Sequence, residues 1–330
     1  MITLRRAVYD DIPNIMRFMD EHWKPGNILA NNRDFFEWQF VDDDAINMFI
    51  GINEDSNIIY GVIGVIIYNK SSNPDISGCT WQVVKSGNPM LGLELAEYMC
   101  KQLNVRYNCG TGLSEKAVKI NKLNGYDITA MDHYYRLANK EEYKIAKIKK
   151  KVIPLVKDTG YSIEPLHYLN EMKSIIPEEN LLNYVLSKDY KYIEKRYFKH
   201  PIYHYDIWKV INPQKNSHSV LITRDERVNG EKICKIIDFY GVVEDLGNIT
   251  PALDKLIEKK DYEFVDVYSY GIPSVLYESA GFCRCNKESE NIIPNYFHPF
   301  VQRNITLKII DYRFPGLKLF RGDGDQDRPC

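Results

Sequence analysis

The chain has 330 residues, of which 44% are hydrophobic and 27% charged, a composition typical of a soluble globular protein of about two domains. It has 43 basic and 45 acidic residues, so the formal charge is −2 and no net basic field attracts nucleic acid. The longest apolar runs, such as Val62–Tyr68, are too short to span a bilayer. Composition therefore argues against a nucleic-acid-binding protein and against a membrane span.

Cysteine usage and the first residues predict a cytoplasmic location. The seven cysteines show no CxxC or other metal-binding spacing, so reduced thiols and no metal site are expected. The segment Met1–Arg6 leads directly into a strand pattern and lacks the apolar stretch of a secretory signal.

The first 139 residues alternate between strand and helix patterns. Ile2–Ala7 alternates apolar and polar residues, and Asp10-Asp11-Ile12-Pro13 begins a helix that is predicted to end near Trp23. The later predicted elements are a helix over Arg33–Phe40, strands over Ile46–Ile52, Ile58–Asn69 and Gly78–Lys85, a loop over Ser86–Gly92 that leads into a helix, a strand over Val105–Cys109, a helix over Ser114–Leu123 and a strand over Ala130–Leu137. The order is β-α-α-β-β-β-α-β-α-β.

A second stretch, starting near residue 160, repeats this plan more loosely. Its predicted elements are helices over Leu166–Ile176 and Glu178–Val185, a segment Asp189–Phe198 that parallels Arg33–Phe40, strands over Tyr203–Asn212, Ser219–Asp225 and Lys232–Tyr240, a helix over Asn248–Lys259, a strand over Tyr262–Tyr268, a helix over Pro273–Ser279, and strands over Tyr296–Phe300 and Ile305–Tyr312. The predicted fold class is α/β with mixed sheets, in two tandem domains over 1–139 and 160–330, joined by a solvated Lys-rich linker over 140–159.

The element order and the opening Leu4-Arg5-Arg6-Ala7-x-x-Asp10-Asp11 resemble the GCN5-related N-acetyltransferase (GNAT) family. The resemblance implies that acetyl-CoA or another acyl-CoA binds at the loop before the central helix, where backbone N–H groups and the helix dipole hold its pyrophosphate. The residues implied are Val84, Lys85, Ser86, Gly87, Asn88, Met90, Leu91 and Gly92. The glycine spacing is wider than the family pattern, and Pro89 removes one donor, so an ordinary strand-to-helix turn is the alternative.

The corresponding loop of the second half carries Glu244 and Asp245 just before Leu246-Gly247-Asn248. Carboxylates at this position would repel a pyrophosphate. We therefore expect one coenzyme A per chain, in the first half, and a second half that shapes the acceptor site.

For catalysis, the resemblance implies direct attack of an amine on the thioester, with a base for the ammonium and an acid for the departing thiolate. Glu21 or His22, at the end of the first helix, is the candidate base. Tyr277 lies four residues before the glycine of Gly281-Phe282, as the acid does in many family members, whereas the first half has Asn121 at that place. The alternatives are a surface role for Glu21 and His22 and a packing role for Tyr277.

The acceptor pocket is expected to involve Trp81 and Gln82, by their position in the family plan. Tyr268 and Tyr270 share one strand face, which could stack on a sugar or a nucleobase or simply form a core edge. Loose family analogy favours an amino sugar, preferably nucleotide-linked, as the small-molecule acceptor.

The chain ends in alternating aspartates, Asp323, Asp325 and Asp327, followed by Arg328. The run begins like a calcium-binding loop but has Arg328 where that loop needs glycine, so calcium is not predicted. It resembles tails of tandem acyltransferases from surface-polysaccharide biosynthesis. We expect it to fold over the acceptor pocket, with the carboxylates on the ammonium and Arg328 on a phosphate; a disordered end is the alternative.

Two other functions remain open at this point. A Fem-like aminoacyl transferase has a similar length and two GNAT-like halves, although the near-neutral charge disfavours a tRNA donor. Both halves could also be inactive and form a binding module. Self-association into a homodimer is also open.

Overall fold

A computed structural model describes residues 1–43, 45–123, 125–214, 218–311, 315–325 and 327–329. The chain divides into two compact units: unit 1 comprises Met1–Gly110 and the chain end from Arg328, and unit 2 comprises Thr111–Asp327. Among the described helices, none combines the length and the apolar character needed to cross a membrane.

Unit 1 contains the predicted opening elements with small shifts at their ends. Its elements are β1 (Thr3–Arg6), α1 (Ile12–His22), α2 (Ile28–Asn31), α3 (Arg33–Phe40), β2 (Val41–Asp42), β3 (Ala45–Ile46), β4 (Met48–Asn53), β5 (Ile58–Ile67), β6 (Asp75–Val83), α4 (Leu91–Leu103) and β7 (Tyr107–Cys109). Pro13 lies in the first turn of α1, where a backbone N–H would have no intrahelical acceptor, so its missing N–H costs nothing. Asn32 caps α3 by accepting a hydrogen bond from the Phe35 amide.

The main sheet of unit 1 has the strand order β1-β4-β5-β6-β7, antiparallel except for the parallel pair β6 and β7. Side chains along β4 alternate between the two faces of the sheet, and both faces are covered by helices. Met48, Ile50 and Ile52 pack with α1–α3, whereas Phe49 packs with α4. The sheet therefore lies between two helical layers, and the loop before α4 lies at the end of β6.

Unit 2 contains a larger mixed sheet. Its elements are α5 (Glu115–Leu123), β8 (Asp127–Ala130), β9 (Asp132–Leu137), β10 (Ser162–Leu166), α6 (Leu169–Ile175), α7 (Glu178–Leu182), α8 (Tyr190–Ile193), β11 (Asp206–Ile211), β12 (His218–Val228), β13 (Glu231–Tyr240), α9 (Thr250–Lys260), β14 (Tyr262–Tyr270), α10 (Ser274–Ser279), β15 (Cys283–Cys285), β16 (Tyr296–Phe297), β17 (Phe300–Val301), β18 (Lys308–Asp311) and β19 (Leu319–Phe320). The strand order is β10-β11-β12-β13-β14-β9-β15, and β19 pairs with β14.

The boundary between the units differs from the predicted division at residue 139. Strand β9 lies between β14 and β15 in the sheet of unit 2, with Phe264 opposite Leu137 and Cys283 opposite Tyr135. Strand β8 pairs with β18, which comes from the other end of the chain. Sequence periodicity finds strands but not their partners, so the predicted strand Ala130–Leu137 was assigned to the half in which it occurs in the chain.

The Lys-rich segment 140–159 is not a free linker. The backbone N–H groups of Ile145 and Ala146 donate to the buried carboxylate of Glu263, and Asn291 accepts from the amides of Lys149 and Lys150. A buried carboxylate needs such donors. The lysine side chains suggested a solvated linker, but the backbone of this segment is bound to unit 2.

Several short strands escaped the sequence patterns, among them β10 and β19. Strand β10 contains Pro165, which a strand tolerates here because β10 lies at the edge of the sheet. Strand β19 lies within the predicted tail and is only two residues long. The predicted final strand Ile305–Tyr312 is observed as β18, and Tyr312 lies outside the described residues.

Candidate functional site

The two parallel strands of unit 1 separate after a short paired stretch. Strand β7 pairs with β6 from Asp75 opposite Tyr107 to Ser77 opposite Cys109, and the next amide, of Gly78, donates to the Asn108 side chain at 3.0 Å. In the part of the chain that the structure describes, no strand pairs with residues 79–83 on this side. The remaining backbone groups of this edge of β6 can bind an extended, amide-bearing ligand.

A β-bulge changes the direction of β6 at the point where β6 and β7 separate. Val62 lies opposite Gln82 and Gly64 opposite Cys79, so one residue of β5 faces both Thr80 and Trp81. Thr80 has φ 47°, a left-handed conformation that is unfavourable for a β-branched residue. Such local strain is often associated with a functional role for the backbone nearby.

The loop after β6 is ordered by its own side chains. Ser86 Oγ accepts from the Asn88 amide at 3.2 Å, and Asn88 Oδ1 accepts from the Met90 amide at 2.9 Å. Gly87 has φ +80°, and open space surrounds the position of a Cβ there. Among the described residues, the backbone N–H groups of Lys85, Ser86 and Gly87 have no protein acceptor. These donors, just before α4, suit an anionic group.

Two further features of the loop bear on a diphosphate ligand. Lys85 is exposed and can supply a cation. Glu94, in the first turn of α4, accepts from Asn88 Nδ2 at 2.8 Å and opposes an anion at the same helix end. The sequence argument missed Glu94, although an acidic residue in the first turn of a helix is a recognised pattern. Leu91 is buried, and Gly92 lies against the indole of Trp81.

The predicted base residues lie on the surface at the end of α1. His22 Nε2 is 3.6 Å from Glu21 Oε2, and the two side chains are 41% and 57% exposed. The next residue, Trp23, packs against the core on the same face of the sheet as Val84. The Arg328 guanidinium carbon lies 4.9 Å from the centre of the Trp23 ring, a cation–π contact within unit 1.

Trp81 and Gln82 follow the bulge and point to opposite sides of the strand. Trp81 packs on the α4 side, whereas Gln82 donates through Nε2 to the Val83 carbonyl at 3.1 Å. The structure thus brings Trp81 to the loop residue Gly92. The described contacts of Glu21 and His22 do not include the loop.

Tyr277 and the tyrosines of β14 lie inside unit 2. The Tyr277 hydroxyl donates to Ser269 Oγ at 2.9 Å, its ring stacks on Tyr134, and it is 1% exposed. Burial raises the pKa of Tyr277 above its ordinary value. Tyr268 is also buried and stacks on His133 at 4.0 Å, whereas Tyr270 is partly exposed. The packing alternative fits the environment of Tyr277 and Tyr268.

The tail does fold back, but into the interior of unit 2 and not over an open pocket. Asp323 Oδ1 is 2.7 Å from Lys188 Nζ, and Asp327 Oδ1 is 2.6 Å from Arg224 Nη2. Both aspartates are buried, whereas Asp325 is partly exposed. The expectation that Asp323 and Asp327 bind a substrate ammonium meets a physical obstacle, because protein cations already neutralise them.

Burial and neighbouring cations act in opposite directions on these carboxylates. A third buried carboxylate, Asp266, pairs with Arg321 and His133. Burial by itself would raise the pKa of Asp266, but these two partners outweigh burial and bring the pKa down to about 2. Burial raises the pKa of Asp323 to about 6, because this carboxylate shares Lys188 with Asp238. Burial alone would lower the pKa of Lys188, yet the two aspartates hold it above its ordinary value. This network has no periodic signature in the sequence.

The loop before α9 in unit 2 offers no obvious anion site. Asp245 is buried and accepts hydrogen bonds from Tyr161, Asn212 and Ser219. This carboxylate therefore lies within the turn Val243–Gly247. The expected repulsion of a pyrophosphate in the second half stays a prediction.

Comparisons with known proteins identify the fold. A GCN5-related N-acetyltransferase from Anabaena variabilis superimposes with a TM-score of 0.56 at 9% sequence identity, over 94% of this chain and 72% of that one. A GCN5-related glucosamine N-acetyltransferase region of a fungal multi-domain GH3 β-N-acetylglucosaminidase superimposes with a TM-score of 0.52 at 10% identity, over 94% of this chain and 38% of that one. No family model and no curated protein matches the sequence. The predicted GNAT-like, mixed α/β fold is confirmed.

Proposed function

We propose that this chain is a CoA-dependent N-acyltransferase that binds its acyl donor in unit 1 and transfers the acyl group to the amine of an amino sugar. The observation that carries the proposal is the edge of β6 from Thr80 to Val83, which pairs with no described strand on the β7 side. It leads to a loop at the start of α4 in which, among the described residues, the N–H groups of Lys85, Ser86 and Gly87 have no protein acceptor. Acyl-CoA has matching chemistry, because its pantetheine arm carries two amides and its nucleotide end a diphosphate.

In this arrangement the arm pairs with the edge of β6 and the diphosphate lies at the amides of Lys85, Ser86 and Gly87. Helix-terminal N–H groups and the helix dipole both favour such an anion. The exposed Lys85 ammonium supplies a counter-charge, and Gly87 leaves the approach open. Val84, Asn88, Met90, Leu91 and Gly92 maintain the shape of the loop and complete the predicted donor site.

The transfer itself is a direct attack. The acceptor ammonium loses a proton to a base, and its nitrogen attacks the thioester carbonyl. A C–N bond forms, the C–S bond breaks, and the thiolate takes up the second proton, which the nitrogen releases as the amide forms. Glu21 or His22 is proposed as the base, since both are exposed at the end of α1, which contacts β6. The Tyr277 hydroxyl is buried and donates to Ser269 Oγ, which favours a packing role for that residue over an acid role.

An amino sugar is the proposed acceptor class. The similarity to a region described as a glucosamine N-acetyltransferase supports it. Within unit 1, Arg328 lies against Trp23, which directly follows Glu21 and His22 in the chain, so a guanidinium and an aromatic ring are in contact close in sequence to a carboxylate. These groups suit a phosphate, a ring face and an ammonium, which favours a nucleotide-linked amino sugar. The tail resemblance extends the proposal to surface-polysaccharide precursors.

Calorimetry with coenzyme A tests the donor site. Gly87→Glu places a carboxylate among the free amides and should weaken binding at least tenfold, about 1.4 kcal/mol. Gly26→Glu is the matched control, because Gly26 lies in the same unit, has φ +73° and also has open space at its Cβ position. Equal affinities of the two variants would refute this placement of the donor. No measurable binding by the unaltered chain would favour the non-catalytic module.

A thiol-release assay tests the acceptor. With acetyl-CoA, free thiol should appear on addition of glucosamine or a nucleotide-linked glucosamine and not on addition of the corresponding N-acetylated sugars, which lack the amine. Glu21→Gln and His22→Gln should separate the two candidate bases by their effect on turnover. Thiol release only with non-sugar amines would overturn the acceptor class and leave the donor site standing.

A further inference from the structure

The parallel strands β13 and β14 of unit 2 also separate, but here the chain itself fills the gap. Their pairing ends at Ile236 opposite Val267. Beyond it, β19 pairs with β14, with Phe320 opposite Ser269, and the Gly322 amide donates to the Ile237 carbonyl at 2.8 Å. One short segment therefore satisfies backbone groups of both separated strands.

Two glycines make room for this segment. A Cβ on Gly322 would lie 2.5 Å from the Tyr197 hydroxyl and 3.0 Å from the Ile237 carbonyl oxygen. A Cβ on Gly271, just after β14, would lie 1.9 Å from the Leu317 carbonyl oxygen. A side chain at either position would force neighbouring atoms to move, so the close approach of the segment depends on both glycines.

The side chains of the segment complete the interior of unit 2. Leu317, Leu319 and Phe320 are buried and supply apolar surface. Its charged side chains meet opposite charges: Arg321 pairs with Asp266, Asp323 with Lys188, and Asp327 with Arg224. Without the segment these three partners would remain as buried charges with fewer counter-charges.

We propose that the gap between β13 and β14 is a peptide-binding site whose permanent ligand is this chain's own segment 317–325, together with Asp327. The segment takes the place that an extended, amide-bearing arm such as pantetheine would occupy between separated parallel strands. Unit 2 consequently admits no acyl donor. The inference concerns unit 2 alone and holds whether or not unit 1 binds coenzyme A.

A cleavage experiment on the full chain tests the proposal. Pro315 and Gly316 are exposed, so a protease recognition sequence inserted after Gly316 can be cut without disturbing buried residues. After cleavage, the fragment that begins at Leu317 should co-elute with the rest of the chain in gel filtration, with or without millimolar coenzyme A. Separation of the fragment in native buffer, or its release by coenzyme A, would overturn the proposal.

Hydrogen exchange provides a second and independent measurement. In the intact chain, the Gly322 amide should exchange about 10³-fold more slowly than in an unstructured peptide, and coenzyme A should not change that rate. Gly322→Val should abolish the protection, because a side chain there would meet the Tyr197 hydroxyl and the Ile237 carbonyl oxygen. If Gly322→Val does not fold, the unaltered chain decides the question. Rapid exchange at Gly322 there, or acceleration by coenzyme A, contradicts the inference; failure of coenzyme A to bind at all contradicts only the donor site of unit 1.

Discussion

In each unit a pair of parallel strands separates after a paired stretch, but the space between the separated strands differs in what fills it. In unit 1 the edge of β6 beyond Ser77 pairs with no described strand, whereas in unit 2 the segment around β19 lies between β13 and β14. Both pairs also carry a bulge, at Thr80 and Trp81 in β6 and at Ile237 in β13. Backbone groups exposed by a splayed pair need partners. Unit 2 takes them from its own sequence, whereas in unit 1 we propose that a ligand supplies them.

The largest expected effect comes from removing a charge that the filled gap requires. Asp327→Ala leaves Arg224, which is buried, without its 2.6 Å partner, and also removes the acceptor of the Tyr205 hydroxyl. We expect a loss of about 3–5 kcal/mol in the free energy of unfolding, measured by urea denaturation. Glu115→Ala breaks the exposed pair with Lys308 and should change the free energy of unfolding very little. Equal losses would show that the tail charges are solvated.

A second substitution tests the bulge in unit 1. A Cβ on Gly64 would lie 2.4 Å from Thr80 Oγ1 and 2.6 Å from the Phe40 ring, so Gly64→Ala should cost about 1–3 kcal/mol of stability through overpacking. Gly78→Ala is the control, since the nearest atom there, Asn108 Oδ1, is at an ordinary 3.5 Å. Thermal unfolding that shifts equally in both variants would mean that the bulge is not tightly packed.

A third prediction uses pH to examine the charges of the filled gap. The pKa of Asp266 is lowered from 3.8 to about 2 in the folded chain, so its contribution to stability is present above pH 4 and is lost as the pH falls towards 2. The shift corresponds to about 2 kcal/mol. Unfolding free energies measured between pH 5 and 2 should therefore fall less steeply in Asp266→Asn than in the unaltered chain. Identical slopes would exclude Asp266 as a source of the acid sensitivity.

The smallest effect is expected at the donor loop of unit 1. Glu94→Gln keeps an acceptor for Asn88 Nδ2 and removes a negative charge from the start of α4. Coenzyme A should then bind more tightly by about 0.3–1 kcal/mol, and calorimetry should show the gain shrinking as salt is raised. Weaker binding in Glu94→Gln would place the diphosphate away from this helix end.

Part of the candidate site was predictable and part was not. The loop from Val84 to Gly92 was found because a glycine-bearing turn between a strand and a helix is a local pattern. The roles of Lys188 and Arg224 were not found, because each meets an aspartate more than 100 residues away in the chain. The tail was recognised as unusual from its aspartates, but sequence could not distinguish a carboxylate that awaits a ligand from one that is already neutralised.

The sequence by itself predicted most of the helices and strands and their order along the chain, because periodicity, caps and turns are local properties of the chain. It also determined that the turn before α9 carries carboxylates. Only the tertiary structure decided which strands pair: β9 joined the sheet of unit 2, and β19 entered the gap beside β14. Strand pairing depends on contacts between distant residues, where hydrogen bonds and buried charges must all be satisfied together, and no single stretch of sequence records that requirement.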